Sequence, residues 1–403
     1  MFSAIYTGLS GLISFTKGLD VISNNVANLN TPGLKSSQLF FRDLYYQYSQ
    51  TGSNGSNGSS LQLGAGVDAN ATKLRFAQGD LRETRNALDV AVNGNGFFVL
   101  RDNGKMLYTR DGQFEIDADG YLVEKNTTAR VASMAAGNTL VDINISGLRT
   151  SGPQPTTTVK FAGNLSTGSQ EQNVTGITVY DAQGGTHVLS VKFTNNSATT
   201  PGSWTYEVKD ADGKSLTTGE VQFEGSGSPK TGFTTHTFTL TTSGGNSSDI
   251  KLDFGDPGSV SGTTNFSGGT TSDVKATPQD GHASGSLTKA TIDEDGYLVI
   301  TYSNGQTSKN QPLALAWFDN LANLEQTGGN FFTNNGDESP RLALAGQDVM
   351  GKLSPGNIEL SNVQLTEQFT DLIVVQRGYQ ASSQIISVGN EMIQQLYDLK
   401  GRR

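Results

Sequence analysis

The sequence predicts a mainly β fold with α-helical termini, in which N- and C-terminal helices form a coiled coil. The helices are nested around an inner β-domain and an inserted outer β-domain. Three observations predict this. Apolar residues keep a three-four spacing at both ends of the 403-residue chain. Between the ends, short runs alternate apolar with polar residues and are punctuated by Asn-Gly and Asp-Gly pairs, which supply the positive φ of tight hairpin turns. One motif occurs twice, as IDADGYLV at 116–123 and IDEDGYLV at 292–299, on either side of a Thr-rich stretch.

At the N-terminal end Ile5, Leu9, Leu12, Leu19 and Val26 fall on one narrow helical stripe, with Thr16 and Ser23 in the intervening places. Asn28, Asn30, Pro32 and Gly33 stop the helix, since Asn and Gly accept the left-handed conformation and Pro cannot extend the ladder. At the other end Leu365, Phe369, Leu372, Tyr379, Ile386 and Ile393 repeat the rhythm as far as Tyr397. Gln376, Ser383 and Asn390 interrupt this stripe at seven-residue intervals, and polar seam residues of that kind fix register and partner choice at a cost in stability. Ser361 with Gln364 reads as a capping box at the start. A pair so built is expected to be frayed in one copy and ordered among copies.

The remaining elements follow in order. Residues 36–49 are rich in aromatics, and 50–60 (QTGSNGSNGSS) read as a flexible connector without apolar content. Residues 71–77 are expected to pair with 81–84 across Gln78-Gly79-Asp80, and short strands continue to about 150. Gly152-Pro153 marks a boundary and, with 284–286, an expected hinge. Beyond it Leu189, Val191 and Phe193 share one strand face, as do Trp204, Tyr206 and Val208. The expected parts are therefore a helical domain at 1–33 and 362–403, a connecting segment at 34–70 and 358–361, an inner β-domain at 71–150 and 286–357, and an outer β-domain at 151–285.

Composition excludes several function classes. A net charge of −10 without a basic cluster disfavours nucleic acid and anionic lipid as partners, and no stretch is long and apolar enough for membrane insertion. With no cysteine there is no disulfide, thiolate metal site or cysteine nucleophile. The Asp-x-Asp-Gly turns lack the glutamate that closes an EF-hand loop, because the corresponding positions are Asn126, Tyr302 and Gly219. His187, His236 and His282 are scattered and form no ligand pair, and the Asn93–Gly96 run precedes a strand rather than a helix, so it cradles no phosphate. No catalytic, cofactor-binding or metal residues are expected, and the chain is expected not to be an enzyme. The N-terminal stretch lacks the basic and unbroken apolar regions of a cleavable signal, which leaves a cytoplasmic location or a signal-independent export route.

Three long co-linear segments carry a family resemblance. GLSGL…LDVISNNVANLNTPGLKS, with Asn24, Asn25, Ala27, Asn28, Thr31 and Gly33 at its centre, resembles the signature of bacterial flagellar rod and hook axial proteins. QGDLRETRNALDVAVNGNGFFVL resembles their axial β-domain, and the stretch from Leu360 to Leu396 their C-terminal helix. The insert at 151–285 favours the hook branch of that family over the distal rod, which is the alternative; a surface adhesin is a more remote one. The resemblance implies a structural subunit that polymerises into a curved, hollow helical tube outside the cell, a universal joint passing torque from rod to filament. It further implies contact with the distal rod, the hook cap during assembly, the hook–filament junction protein and the flagellar type III export apparatus. The motif and stripe residues named above would carry polymerisation.

Overall fold

In the computed structural model, residues 2–50, 60–135, 137, 139–241, 247–277 and 279–401 are described. The connector expected at 50–60 lies, apart from its two end residues, outside them. Two helices bracket the chain, α1 (Phe2–Ala27) and α2 (Leu365–Gly401), and strands dominate between them. The chain forms two compact units. The first comprises residues 1–146, 290–299 and 309–403, and the second 147–289 and 300–308.

In the first unit a sheet runs in the order 324–328, 331–334, 105–109, 97–102, 130–135, 122–124 and 114–116, with 139–142, 315–317 and 341–343 attached. Segments far apart in sequence share it: Leu315 and Ala316 pair with Phe98 and Phe97, and Phe331 with Thr109. The chain therefore leaves this sheet after Asp142 and returns to it at Leu315. Phe97, Tyr108, Ala132, Phe318 and Phe332 form its core, with Phe76 edge-on to Phe97 at 5.8 Å. Edge-to-face pairs of this kind add about 0.5–1.5 kcal/mol beyond area burial.

The hairpin expected between 71–77 and 81–84 does not form. Residues 67–74 pair instead with Ser37–Asp43, and Leu81–Glu83 pairs with Asn357–Glu359. Gly79 makes no tight turn; its missing Cβ admits the Leu360 carbonyl, and its N–H donates to Glu359 Oε1 at 2.9 Å. The glycine serves a close backbone approach, a use that sequence alone does not separate from a turn. The hairpin arm begun by Ser37–Asp43 and Val67–Leu74 continues in Tyr46–Gln50 and Ser60–Gly64.

The second unit packs two sheets. One is the antiparallel meander 171–180, 186–195, 203–209, 215–222. In the other, 158–164 lies parallel to 247–253, which pairs in turn with 235–241. One apolar cluster draws on both, centred on Phe161, Phe193, Trp204, Tyr206 and Phe254. The alternation read at 189–193 and 204–208 is the buried face of this sandwich. Thr150 and Ser151 pair with Ser286 and Gly285, so the segments flanking the expected hinge at Gly152-Pro153 and 284–286 are hydrogen-bonded within this unit. The divisions between units fall instead at 146/147, 289/290, 299/300 and 308/309.

The repeated Asp-Gly turns are one structure. Asp117 and Asp293 each accept the N–H of a tyrosine four residues on, at 2.7 and 2.8 Å, and the glycine between takes φ of 85° or 84°. In the second unit Asp181 and Asp210 likewise accept the N–H four residues on, from Gly185 and Lys214. The carboxylate oxygen is occupied by backbone, which is the chemistry of an Asx-type turn.

Candidate assembly interface

The first-unit helices pack side by side and antiparallel. A Cβ placed on Gly11 would lie 2.7 Å from Ser382 Oγ, one on Gly18 3.3 Å from Val375, and one on Gly8 3.1 Å from Ile386. From the other side, a Cβ on Gly389 would lie 2.7 Å from Ile5, and one on Gly378 would strike the Phe15 ring. The buried residues of α2 recur at seven-residue intervals: Gln368, Val375, Ser382 and Gly389. Facing them are Asn25, Gly18, Gly11 and Ile5, so each step of the contact line has a glycine or a polar side chain on at least one helix, with Val375 set against Gly18 and Ile5 against Gly389. Small residues let two helix backbones approach closely, because the interaxial distance follows the side chains at the contact.

This shifts the seam read from the sequence. Ile5, on the contact line itself, is half-buried, as are Leu12, Leu19, Val26, Leu372, Ile386 and Ile393 beside it, whereas Leu9, Leu365, Phe369 and Tyr379 are exposed. Apart from Ile5, the contact line runs one position N-terminal to the predicted stripe on both helices. The physical reason is steric: a leucine-sized seam would hold the axes apart, and the glycines do not. The capping box is also absent in the expected form, since Ser361 Oγ accepts the N–H of Val363 rather than that of Gln364.

The family-motif residues sit where α1 ends. Asn25 is buried; its Nδ2 donates to Gln368 Oε1 at 2.9 Å and to the Ser37 carbonyl at 2.8 Å, and its Oδ1 accepts the Ser37 N–H at 3.0 Å. One side chain thus joins α1, α2 and the hairpin arm. Asn28 Nδ2 donates to the Asn24 carbonyl and Oδ1 at 2.9 and 3.0 Å, and Thr31 Oγ1 donates to Asn28 Oδ1, which closes the helix end. Ala27 is exposed. Gly33 takes φ +69°, and a Cβ there would lie 2.5 Å from the Asp111 amide nitrogen, so only glycine fits.

Beneath this junction lies a charge cluster that sequence reading missed. Lys35 Nζ meets Glu359 Oε1 at 2.6 Å with both side chains fully buried, and Arg110 Nη1 meets Oε2 at 3.2 Å. Lys35 also donates to the Ala77 carbonyl. Burial pulls Lys35 and Arg110 below their ordinary ranges, and Glu359 opposes this in both. Beside Arg110 in the chain, Asp111 is pushed up to about 7, chiefly by burial, with Glu124 and Asp89 adding repulsion. The cluster ties the residues after α1 and those before α2 to the β-domain. Its members are too far apart in sequence to form any spacing motif.

Farther along α1, Ser10 accepts the Val67 N–H at 3.2 Å, Ser14 donates to the Val67 carbonyl at 3.3 Å, and Lys17 donates to the Ala69 carbonyl and Asn70 Oδ1. The hairpin arm therefore lies along α1 on these polar contacts and on the Phe41 ring, 5.6 Å from that of Phe15. The apolar residues that neither the seam nor the arm uses remain at the surface: Tyr6, Leu9 and Ile13 on α1, and Phe369, Ile373, Val374, Val388, Met392, Leu396 and Tyr397 on α2. A surface so apolar marks an interaction site.

Comparison with known proteins places this chain among the axial proteins of the flagellar rod and hook class. Four family descriptions match in chain order: Flagella basal body rod protein at 5–35, Flagellar hook protein FlgE/F/G D1 domain at 91–159, Flagellar basal body protein FlaE D2 domain at 151–338, and Flagellar basal body rod FlgEFG protein C-terminal at 354–399. Among similar proteins, the flagellar hook protein FlgE of Treponema pallidum is 31% identical, covering 99% of this chain and 100% of its own length. Those of Borreliella burgdorferi and Escherichia coli are each 30% identical, covering 99% and 98% of this chain and 100% of their own lengths. The chain belongs to the flagellar hook protein (FlgE) family.

Proposed function

We propose that this chain is the structural subunit of a bacterial flagellar hook. Many copies polymerise through the terminal helices into a curved, hollow tube that passes torque from rod to filament. The observation that carries this is the helix pair itself. It closes on a glycine- and serine-rich seam and leaves its large apolar side chains outward, so the pair is completed by neighbours rather than by its own chain. In this reading the seam of the pair is a short coiled coil, and the seven-residue recurrence of Gln368, Val375, Ser382 and Gly389 supports it. The stripe residues Leu9, Leu365, Phe369 and Tyr379 then act between subunits, with the half-buried Ile5, Leu12, Leu19, Val26, Leu372, Ile386 and Ile393 bridging both roles.

The remaining roles follow from that one. Residues 34–70 brace the helices, the β-domains at 71–150 and 286–357 form the tube wall, and 151–285 faces solvent. Distal rod, hook cap, hook–filament junction protein and type III export apparatus are the partners such a subunit requires. In this reading the chain acts as a polymer and not as an enzyme, which the structural role named for its hook-protein relatives supports. Electron microscopy of the purified chain tests the proposal. Tubes are expected from the full chain and none from chains lacking 1–30 or 365–403; tubes from the truncated chains would contradict it.

A further inference from the structure

Between α1, α2 and the start of the hairpin arm lies a cleft of about 250 Å³. Val21, Phe41 and Val374 line it with apolar surface, and Glu367 and Asp371 give it an acidic rim. Arg75 Nη1 clasps Glu367 through both carboxylate oxygens, at 3.0 and 2.8 Å, which neutralises one of the two acids. Asp371 has no ion pair among the described residues. The cleft thus offers room for one aromatic side chain beside an unpaired negative charge. The distal end of α2 has the complementary character. Leu396, Tyr397 and Leu399 are 51, 73 and 69% exposed, and the sequence that follows carries Lys400, Arg402 and Arg403.

We propose that this cleft receives the distal end of α2 of a second copy, with Tyr397 as the inserted side chain. The contact cannot be made within one copy. Residues 374 and 397 lie on one continuous helix, twenty-three residues and therefore about 35 Å apart. A contact between the base of one helix pair and the tip of another is heterologous, and such contacts propagate into open helical assemblies instead of closing as dimers. The proposal rests on the polymer reading and specifies one of its contacts.

The absence of cysteine from the chain gives a background-free test. In tubes of the Tyr397→Cys/Val374→Cys variant, oxidation is expected to give a ladder of covalent multimers that collapses on reduction, with no ladder from either single variant. Tubes without a ladder overturn this contact alone, as does a ladder obtained instead from Tyr45→Cys/Val374→Cys, which would seat the hairpin arm there. Failure of the wild-type chain to form tubes overturns the polymer reading and this contact with it. A second arm needs no cysteine. Asp371→Lys is expected to raise the critical concentration for assembly about tenfold, or about 1.4 kcal/mol, and Asp371→Lys/Lys400→Glu to recover most of it. An unchanged critical concentration in Asp371→Lys contradicts the proposal.

Discussion

The helix pair and the sandwich of the second unit solve the burial problem in opposite ways. In the sandwich, alternate residues of the central strands turn inward and Phe161, Phe193, Trp204 and Phe254 vanish from the surface, so the aromatic core closes within one copy. In the helix pair, glycines and serines occupy the inside while Ile373, Val374 and Tyr397 lie outside at 58, 62 and 73% exposure. Glycine also weakens a helix by about 0.8–1 kcal/mol per residue relative to alanine. Gly8, Gly11 and Gly18 in α1 and Gly378 and Gly389 in α2 all carry that cost. The sandwich is a finished object; the helix pair is a component whose stability is supplied by packing among copies.

Four substitutions sharpen this contrast. The largest effect is expected at Glu359, which answers Lys35 and Arg110 together. Glu359→Ala leaves two buried cations without their anion and should cost about 3–5 kcal/mol, read as a lowered denaturation midpoint of the first unit with the second unit's transition unmoved. Gly378→Val drives a branched side chain into the Phe15 ring. It should cost about 1–3 kcal/mol in the helix pair and abolish tubes, whereas retained assembly would show that the helices have room to part.

Asp111 gives a pH signature. Its carboxyl is raised to about 7 in the folded protein, against about 3.9 in an unfolded chain. The protonated form is favoured by folding, so this contribution is full below about pH 4 and is lost as pH rises through 7, with a slope of at most about 1.4 kcal/mol per pH unit. Asp111→Asn should remove that slope from the stability–pH curve of the first unit; an identical curve would show that Asp111 is ionised throughout. The smallest effect on the isolated chain is expected for Ile373→Asp, within about 0.5 kcal/mol by denaturation, combined with loss of tubes. A large loss of monomer stability would place Ile373 inside the fold instead of between subunits.

Much of the fold was legible. Period-two alternation located the buried faces at Leu189–Phe193 and Trp204–Val208, and Asp-Gly pairs located hairpin turns, because burial and positive φ are each dictated by local residue type. The helices were legible from their three-four rhythm, and the ends of both were stated within a few residues. Their contact line was not. Hydrophobic periodicity gives weight to Leu9 and Phe369 and none to Gly11 or Gly18, although it is the absence of a side chain at the latter that allows the contact. The buried charges were beyond reach for a different reason: Lys35, Arg110 and Glu359 meet only after the first sheet has closed around a long insertion, and nothing local announces them. Gln78-Gly79-Asp80 misled because a glycine that admits the Leu360 carbonyl and one that turns a hairpin look alike in sequence.

Hydrogen exchange compared between the isolated chain and the assembled tube tests the division of labour most directly. The account predicts rapid exchange over residues 2–27 and 365–401 in the isolated chain, strong protection of both in the tube, and equal protection of the 171–222 meander in either state. Helices already protected in the single copy to the level seen in the tube would contradict it.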